Sequence, residues 1–385
     1  MSRAELAGSG AAVVVNAGSS TLKVRVLDPA DTPGASLDLD PWDGSADHPE
    51  LAEFLASVAG AEVVGHRVVH GGTRFAAAVL IDDAVVGAIA DLTDLAPLHQ
   101  PRAVAGINAA RRALPGTPQV ACFDTAFHAG LPPAAAQYAL PDRWIRQFGL
   151  RRFGFHGLSH GYAARRAAEL LGRDPAGLRI VTCHLGAGAS LAAVQGGRSI
   201  DTTMGFTPLE GLVMATRSGT VDPGLIMWLL QHGNLSTDEV GAGLEKSAGL
   251  AGLSRLPSGD MREVLRAADS GDEPARLALD VYVHRLRREI AAMAAAMNGL
   301  DALVFTGGIG EHSPRVRAAA AASLTFLGVS LDPAQDGVSS DADISGSGPV
   351  RVLVVTARED LEIARQAWAV LTARPGARAA PTAHG

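Results

Sequence analysis

The chain has 385 residues, a formal net charge of −7, 47% hydrophobic residues and only 19% charged residues. This length exceeds that of one ordinary domain, and the apolar content is sufficient to bury extended sheets. The negative charge argues against a nucleic acid partner, although a local basic pocket stays open. The only two cysteines, Cys122 and Cys183, stand in apolar runs, so they predict buried thiols rather than a disulfide framework.

The longest apolar runs fall short of the roughly 18 residues of a membrane span, and the N-terminus lacks the charged-then-apolar layout of a signal peptide. We therefore expect a cytoplasmic protein with no membrane partner. Residues 1–11, rich in Ala, Gly and Ser, and the tail at 373–385 are predicted to be disordered.

The first predicted element is a β-hairpin at residues 13–28, VVVNAGSSTLKVRVLD. Its second half alternates apolar and polar residues with a period of two, which indicates a half-buried strand. The turn NAGSS between the two strands is rich in small and polar residues. Residues 28–48, which carry Pro, Asp and Gly, are predicted to be a long connection.

Two further strands carry charged residues where apolar ones are expected. The stretch EVVGHRVVHGG at 62–72 predicts a strand, and Arg67 within it requires an anion or a carboxylate partner. The run QVACFD predicts another strand ending in Asp124. Ligands of parallel α/β sheets lie at the carboxyl ends of strands, so Asp124 is a site candidate. The alternative is that Asp124 only caps the following turn.

A glycine-rich loop with two histidines leads into a helix at 151–172, which is predicted to end at Gly172. His156 and His160 are four residues apart, as in zinc-binding helices. The glutamate of the HExxH motif is missing, however, so the sequence does not favour a zinc site.

A second hairpin is predicted at residues 179–195, with the turn Gly186–Ala187–Gly188 between its strands. His184 precedes the turn, and a Thr/Ser/Gly-rich segment holding Arg217 follows. Backbone N–H groups of such a turn can cradle a phosphate, because a chain without Cβ atoms can approach the anion closely. The pair of hairpins predicts a duplicated α/β nucleotide-binding core; two ordinary hairpins with glycine turns are the alternative.

The remaining chain alternates helices and strands. A long helix is predicted after Pro274, with one apolar stripe at every third or fourth position. The segment 301–317 predicts a strand, a glycine loop suited to nucleotide contact and a helix capped by Ser313. A last strand and helix at 351–371 have Glu359 at their junction.

The polar residues at these strand ends suit phosphoryl transfer. They provide cations for a polyanion and acids for Mg²⁺, without a Ser–His–Asp arrangement or an exposed cysteine nucleophile. Phosphoryl transfer requires chiefly positioning and neutralisation of charge on the transferring group. A purely structural role for Arg67, Arg217, Asp124 and His156 together would leave four polar groups in apolar surroundings without a ligand.

The order and spacing of the motifs resemble acetate kinases over nearly the whole chain, from about residue 13 to residue 371. The motifs are NAGSSTLK, GHRVVHGG, APLHQP, FDTAFH, GFHGLSH, CHLGAG, SIDTTMGFTPLEGLVMATRSGTVDP, GDMR, FTGGIGEHSP and TAREDLEIAR.

This resemblance implies an α/β fold with two similar ribonuclease-H-like (actin-type) domains, a duplicated core and an interdomain cleft. We expect an N-terminal domain from residues 1–127 plus 361–385, to which the last helix returns. Residues 128–360 are expected to form the C-terminal, nucleotide-binding domain. The family usually forms homodimers, so a homodimer is expected here.

The resemblance also implies the reaction ATP + acetate ⇌ ADP + acetyl phosphate, with Mg²⁺ or alternatively Mn²⁺. The metal would be held by Asn16 and Glu359. Asp124 would align the nucleophile or the metal rather than act as a base, because a carboxylic acid is already ionised near pH 7.

The other site residues implied by the resemblance fall into three sets. The catalytic set is Asp124, Arg67, Arg217 and His156, of which Arg67 and Arg217 bind the substrate carboxylate and the phosphoryl group. The apolar pocket around the acyl methyl group is Val69, Leu98, Phe155 and Pro208, with Arg67 also binding the substrate. The ATP-binding set is Ser19, Thr21, Lys23, His184, Leu185, Gly186, Ala187, Gly188, Asp260, Met261, Arg262, Gly308, Ile309, Gly310, Glu311 and His312.

Two departures from the family motifs concern the nucleotide. HLGAG has Ala187 where the family has Asn, and GIGEH has His312 where the family has Asn. Whether these departures change nucleotide affinity or nucleotide preference stays open, and the chemistry is expected to be unaffected. Two other functions remain open. One is a propionate or other short-chain fatty acid kinase, because one methylene changes binding by only ~1–3 kcal/mol. The other is a non-catalytic ATP-binding protein of the same fold.

Overall fold

The computed structural model describes residues 10–18, 20–338 and 340–373. The expected disorder at both ends and the predicted phosphate contact Ser19 fall largely or wholly outside these residues. Ala11, which the prediction included in a disordered leader, is buried, and its carbonyl accepts a hydrogen bond from Glu62 N–H at 2.9 Å. The apolar run of the first strand therefore begins earlier than predicted.

The chain divides into two compact units. Unit 1 comprises Met1–Ala129 and Arg358–Gly385, and unit 2 comprises Gly130–Ala357. Unit 2 is thus inserted in the sequence of unit 1.

The described residues form twelve β-strands and fourteen α-helices, connected in places by short 3₁₀ turns. The strands are β1 (Ala12–Ala17), β2 (Leu22–Leu27), β3 (Pro33–Leu39), β4 (Val63–Val68), β5 (Val79–Leu80), β6 (Gln119–Phe123), β7 (Arg179–Leu185), β8 (Ala189–Gln195), β9 (Arg198–Thr202), β10 (Ala302–Thr306), β11 (Ala342–Asp343) and β12 (Arg351–Val354). The helices are α1 (Pro49–Ser57), α2 (Asp83–Ala90), α3 (Gln100–Ala113), α4 (Pro133–Ala136), α5 (Asp142–Phe148), α6 (Gly157–Leu171), α7 (Pro223–His232), α8 (Thr237–Lys246), α9 (Gly249–Ser254), α10 (Met261–Asp269), α11 (Glu273–Ala296), α12 (Gly307–His312), α13 (Pro314–Ala321) and α14 (Glu359–Thr372).

Each unit contains one six-stranded mixed sheet, and the two sheets have the same topology. The order is β3-β2-β1-β4-β6-β5 in unit 1 and β9-β8-β7-β10-β12-β11 in unit 2. Three strands pair antiparallel at one side of each sheet, the next pairings (β1–β4–β6 and β7–β10–β12) are parallel, and the short last strand is antiparallel. The predicted α/β fold with a duplicated core is confirmed.

The prediction of the first hairpin is correct, but the prediction of a connection after it is wrong for Pro33–Leu39. In β2 the apolar Leu22 and Val24 are buried while Lys23 is exposed, as the period of two predicts. Part of the expected connection at 28–48 is the edge strand β3, which pairs with β2. Because β3 is an edge strand with mostly exposed side chains, its sequence PGASLDL lacks the apolar alternation that would identify it.

Helix α14 packs closely on the sheet of unit 1. A Cβ atom at Gly65 of β4 would lie 2.6 Å from Ile363 Cγ2, so only glycine allows this approach. In unit 2, the long helix α11 buries the predicted apolar stripe that includes Leu279, Leu286 and Ile290. Among the described helices none is long and apolar enough to cross a membrane.

Candidate active site

Three parallel strands of unit 1 bring polar residues together at their carboxyl ends. In the register of β4 and β6, Arg67 lies opposite Cys122 and Val68 opposite Phe123. Asp124 follows β6 directly and donates its backbone N–H to Val68 O at 2.9 Å. Asn16 lies near the end of β1, the other neighbour of β4. The topology therefore gathers residues that are more than 100 positions apart in the chain.

Arg67 and Asp124 form a bidentate ion pair. Arg67 Nε donates to Asp124 Oδ1 at 3.2 Å, and Nη2 donates to Oδ2 at 2.7 Å. Burial opposes the charge on Arg67, but the carboxylates of Asp124 and Glu359 raise its pKa above the ordinary value. The guanidinium is therefore a permanent cation in the site.

Asn16 connects Arg67 with Glu359, the first residue of α14. Its Oδ1 accepts from Arg67 Nη1 at 3.2 Å, and its Nδ2 donates to Glu359 Oε2 at 3.1 Å. The same Glu359 oxygen lies 3.8 Å from Arg67 Nε. Sequence reasoning selected all four of these residues, but it did not predict that they bond to one another.

The oxygen atoms of this cluster suit Mg²⁺. Asp124 and Glu359 provide carboxylates and Asn16 a carboxamide, and Mg²⁺ prefers oxygen ligands. In the described part of the chain, no group of three or more His, Cys, Asp or Glu could hold a metal by itself.

The two other predicted phosphate contacts of unit 1 lie on the first hairpin. Lys23 lies opposite Asn16 in the register of β1 and β2, and its side chain is exposed. Thr21 closes the turn by accepting the Gly18 N–H at 2.7 Å.

In the glycine turn after β7 of unit 2, one of the N–H groups expected to face a phosphate is already hydrogen-bonded within the turn. Gly186 N–H donates to Gly188 O at 2.9 Å, and Ala187 O accepts from Ala215 N–H at 3.0 Å. The prediction that this turn exposes its amides is therefore wrong for Gly186. The hairpin in unit 1 uses Gly18 in the same way, so this bond is part of the repeated turn.

His156 and His184 stack beside this turn. Their ring centroids are 4.4 Å apart with an interplanar angle of 27°. His156 has a positive φ of 55° and precedes the first turn of α6, and its Nδ1 lies 2.9 Å from Ser190 Oγ. His184 Nδ1 lies 2.7 Å from Ser159 Oγ. The sequence analysis did not select Ser159 or Ser190 as site residues.

Arg217 shares the space beside Gly188 with His156. A Cβ atom at Gly188 would lie 3.3 Å from His156 Nε2 and 3.8 Å from Arg217 Nη1. Arg217 donates to Pro208 O at 3.0 Å, and it forms no ion pair with a carboxylate among the residues that the structure describes. Burial lowers the pKa of Arg217, with Glu245 opposing this weakly. An arginine that forms no ion pair within the described part of the chain, beside a glycine turn, favours binding of an anion.

A cavity of about 460 Å³ in unit 2 lies next to the same turn. It is lined by eight of the predicted ATP-binding residues, which are Gly186, Ala187, Asp260, Met261, Arg262, Gly308, Ile309 and His312. It is also lined by residues that were not predicted, namely Ala215, Ser258, Gly259, Leu265 and Ser313. His184, Leu185, Gly188, Gly310 and Glu311 are not in its lining.

The segment GGIGEH is a helix, α12, rather than the glycine loop predicted from its composition. Glu311 stabilises it, because Oε1 accepts N–H bonds from Gly307 at 2.8 Å and from Ala357 at 2.9 Å. Glu311 is buried, and these bonds give it a structural function beside the cavity.

The predicted acyl pocket has two residues in each unit. Val69 and Phe155 are buried, whereas Leu98 is 52% exposed. Pro208 is half-buried, and its carbonyl holds Arg217. Each of these assignments stays a prediction.

Comparisons with known proteins identify relatives of this chain. Residues 45–365 match the model of the Acetokinase family. An acetate kinase of Synechococcus sp. (strain JA-2-3B'a(2-13)) is 54% identical over 334 residues, which are 86% of this chain and 79% of that protein. Among solved structures, Porphyromonas gingivalis acetate kinase has a TM-score of 0.86 and 35% identity, and Francisella tularensis propionate kinase has 0.87 and 34%. Each of the two alignments covers 94% of this chain and 100% of the solved chain.

Proposed function

The chain belongs to the acetokinase family, and from this premise we propose that it transfers the γ-phosphoryl group of ATP reversibly to acetate. The products are acetyl phosphate and ADP. The observation that carries the proposal is the pairing of Arg217 with His156 around Gly188, next to a cavity of nucleotide size.

The cavity in unit 2 is the proposed nucleotide site. Its lining combines small residues of the turn after β7 with the first residues of α10 and α12. The backbone N–H groups at such helix ends favour phosphates. Lining atoms of Met261, Ile309 and Leu265 supply apolar surface for a base.

Arg217 and His156 are proposed to bind the transferring phosphoryl group. Arg217 forms no ion pair with a described carboxylate, so an arriving phosphate displaces none of those charges. His156 adds a hydrogen-bond donor through Nε2, on the same side of Gly188. Donors fixed before the reaction stabilise charge in the transition state without reorganisation.

In unit 1, we assign Arg67 to the acceptor carboxylate, and Asn16 and Glu359 to the magnesium site. Mg²⁺, or Mn²⁺ in its place, would neutralise phosphate charge when bound. Asp124 is unsuited to act as a base, because it already accepts two bonds from Arg67 and acetate is ionised at neutral pH. Its proposed function is to orient Arg67.

Propionate is a second candidate acceptor. The solved propionate kinase of Francisella tularensis is as similar in structure to this chain as the Porphyromonas acetate kinase is. A non-catalytic ATP-binding function is the weaker alternative, because it gives no purpose to Arg67, Arg217 and Glu359 together.

We further propose that the enzyme is a cytoplasmic homodimer. No residue of α7 is buried, and Leu225, Met227 and Trp228 of this helix are 47%, 53% and 56% exposed. Such an apolar helix favours burial against another surface, and a second copy would cover it. The cytoplasm is proposed because it supplies ATP and keeps thiols reduced, and both cysteines are free.

The experiment that tests the reaction traps the acyl phosphate as its hydroxamate, with MgATP and either acetate, propionate or butyrate. Wild type should form the product with acetate, and Arg217→Ala should lose roughly 100- to 1000-fold in kcat. Arg217→Lys keeps the charge but not the planar guanidinium, and serves as the matched variant. If wild type binds ATP but forms no acyl phosphate from any of the acids, the proposal fails.

A further inference from the structure

A chain of buried hydroxyl and imidazole groups leads to His156. Ser190 Oγ lies 2.9 Å from His156 Nδ1 and 2.8 Å from His160 Nε2. His160 Nδ1 lies 2.8 Å from Thr182 Oγ1. Ser190, His160 and Thr182 are each 0% exposed, so water does not reach these bonds in place of the protein groups.

The single proton of Ser190 restricts how this chain can be arranged. The hydroxyl can donate to only one of the two imidazoles, so the other imidazole must donate to it. If both imidazoles donated, the hydroxyl proton would need a third partner, and the structure gives Ser190 none among the residues it describes. A buried donor without an acceptor is costly. Two arrangements therefore remain, with opposite directions.

Thr182 distinguishes the two directions. In the first, its hydroxyl donates to His160 Nδ1 at 2.8 Å. In the second, His160 donates to Thr182, whose proton must then turn to Ala192 O at 3.5 Å. The shorter contact is a normal hydrogen bond and the longer one is at the limit. The geometry therefore favours donation from Thr182 to His160, from His160 to Ser190, and from Ser190 to His156.

This direction determines the tautomer of His156. Since Nδ1 accepts the Ser190 proton, the neutral ring carries its own proton on Nε2. Nε2 and the neighbouring Cε1 would each lie 3.3 Å from a Cβ at Gly188, which would also lie 3.8 Å from Arg217 Nη1. The ring thus offers an N–H donor at the position where the proposed function requires one.

We propose that Ser190, with His160 and Thr182 behind it, is a positioning residue that fixes His156 in its Nε2–H tautomer. The inference rests on the proposed function for its catalytic consequence, namely that His156 donates to the transferring phosphoryl group. The tautomer itself is a property of the unliganded protein. The two can therefore be tested separately.

The tautomer is measured by long-range ¹H–¹⁵N correlation on protein labelled at histidine, with the His156 signals assigned from His156→Asn. In wild type at pH 8 we expect an acceptor-type Nδ1 and a protonated Nε2. In Ser190→Ala and Thr182→Val, the two nitrogens should move toward averaged shifts. Thr182→Ser, which keeps the hydroxyl, should resemble wild type.

Ser159→Ala is the matched control. It removes a hydroxyl of the same size and similar burial, but from His184 Nδ1 rather than from His156. The His156 signals should retain the wild-type pattern. A wild-type His156 with the proton on Nδ1, or an unchanged tautomer in Ser190→Ala, would overturn the inference.

Kinetics then test the consequence. Ser190→Ala should lower kcat roughly 10- to 100-fold, with KM for ATP and acetate within about twofold, because the donor acts mainly in the transition state. Thr182→Ser should restore most of kcat relative to Thr182→Val. A wild type with the expected tautomer but no acyl phosphate would refute only the proposed function. An active wild type whose kcat is insensitive to Ser190→Ala would refute the positioning role.

Discussion

Two hydrogen bonds of 3.2 and 2.7 Å join Arg67 to Asp124, and the Asp124 side chain is only 1% exposed. Asp124→Ala would leave the half-buried guanidinium of Arg67 with Glu359 as its remaining carboxylate, 3.8 Å from Nε. We expect the free energy of unfolding in urea to fall by about 3 kcal/mol. Asp38→Ala, which breaks the exposed pair with Arg25 in the same unit, should cost about 0.5 kcal/mol. Equal losses in the two variants would contradict the buried ion pair.

The burial of His66 should make the stability of the protein depend on pH. Its Nε2 lies 2.7 Å from Gln119 Oε1, and burial lowers the pKa of His66 to about 4 from the usual 6.5, with the Gln119 bond opposing this. The unfolded chain therefore takes up this proton near pH 6.5, while the folded protein resists it until about pH 4. The stability is complete above pH 6.5 and declines as the pH falls toward 4, by about 3 kcal/mol in total.

The measurement compares urea unfolding at several pH values between 6.5 and 4.5 in wild type and His66→Gln. The amide of glutamine can still bond to Gln119 but does not titrate in this range. The variant should show a shallower decline than wild type, whatever its absolute stability. Parallel curves would show that His66 is not the titrating group.

A substitution at Gly188 should affect His156 and Arg217, the side chains proposed to bind the transferring phosphoryl group. A methyl group there would lie 3.3 Å from His156 Nε2, which is tighter than ordinary contact, and 3.8 Å from Arg217 Nη1. We expect Gly188→Ala to reduce kcat/KM roughly 10-fold or more without lowering the thermal midpoint. Gly243→Ala in α8, where a Cβ would meet no atom within 4 Å, is the control and should keep full activity. Full activity of Gly188→Ala would contradict the proposal that the phosphoryl group binds beside this turn.

Val69 should influence the selectivity between acetate and propionate. If this buried residue contacts the acyl methyl group, Val69→Ala should raise the ratio of kcat/KM for propionate over acetate by about 10-fold. Val68→Ala removes the same volume from the neighbouring core position, where Val68 is 0% exposed and belongs to the apolar cluster of unit 1. The control should lose stability but keep the ratio. A ratio that changes equally in both variants would argue against the pocket.

The exposed apolar residues of α7 should determine whether the protein forms a dimer. Trp228→Glu should convert the proposed dimer to a monomer, since it places a charge on the apolar surface. Leu277→Glu, on α11, alters a leucine that is equally exposed at 56% and should leave the mass unchanged. Light scattering after gel filtration measures both. A wild type that is monomeric at micromolar concentration would contradict the proposal directly.

The residues that the sequence predicted well are those with a local signature. The alternation in β2, the stripe of α11 and the cap at Ser313 each depend on neighbours within one element. Features that depend on partners far along the chain were missed. The Arg67–Asp124 pair depends on the register of β4 on β6. In the sequence Ser190 is only a small residue in an apolar strand, and its hydrogen bonds to His156 and His160 become visible only in the folded structure.

Amino-acid composition led to wrong secondary-structure predictions for two segments. GGIGEH has the glycine content of a loop, yet the Glu311 carboxylate accepts the Gly307 N–H and makes a helix of it. The edge strand β3 shows the opposite case, because backbone pairing with β2 holds a segment whose side chains carry little apolar signal. An acid four residues after a glycine was the one available sign for α12.

The insertion of unit 2 within unit 1 has a consequence for biosynthesis. A ribosome delivers the chain from its N-terminus, so the whole of unit 2 has been synthesised before α14 emerges. Until then the sheet of unit 1 lacks Ile363 against Gly65, and Arg67 and Asn16 lack Glu359. All residues that line the cavity proposed for nucleotide have therefore been synthesised while the cluster of Arg67 and Asn16 still lacks Glu359. If the proposed assignments hold, a transcript truncated just before α14 would encode a chain that binds nucleotide but does not transfer phosphate.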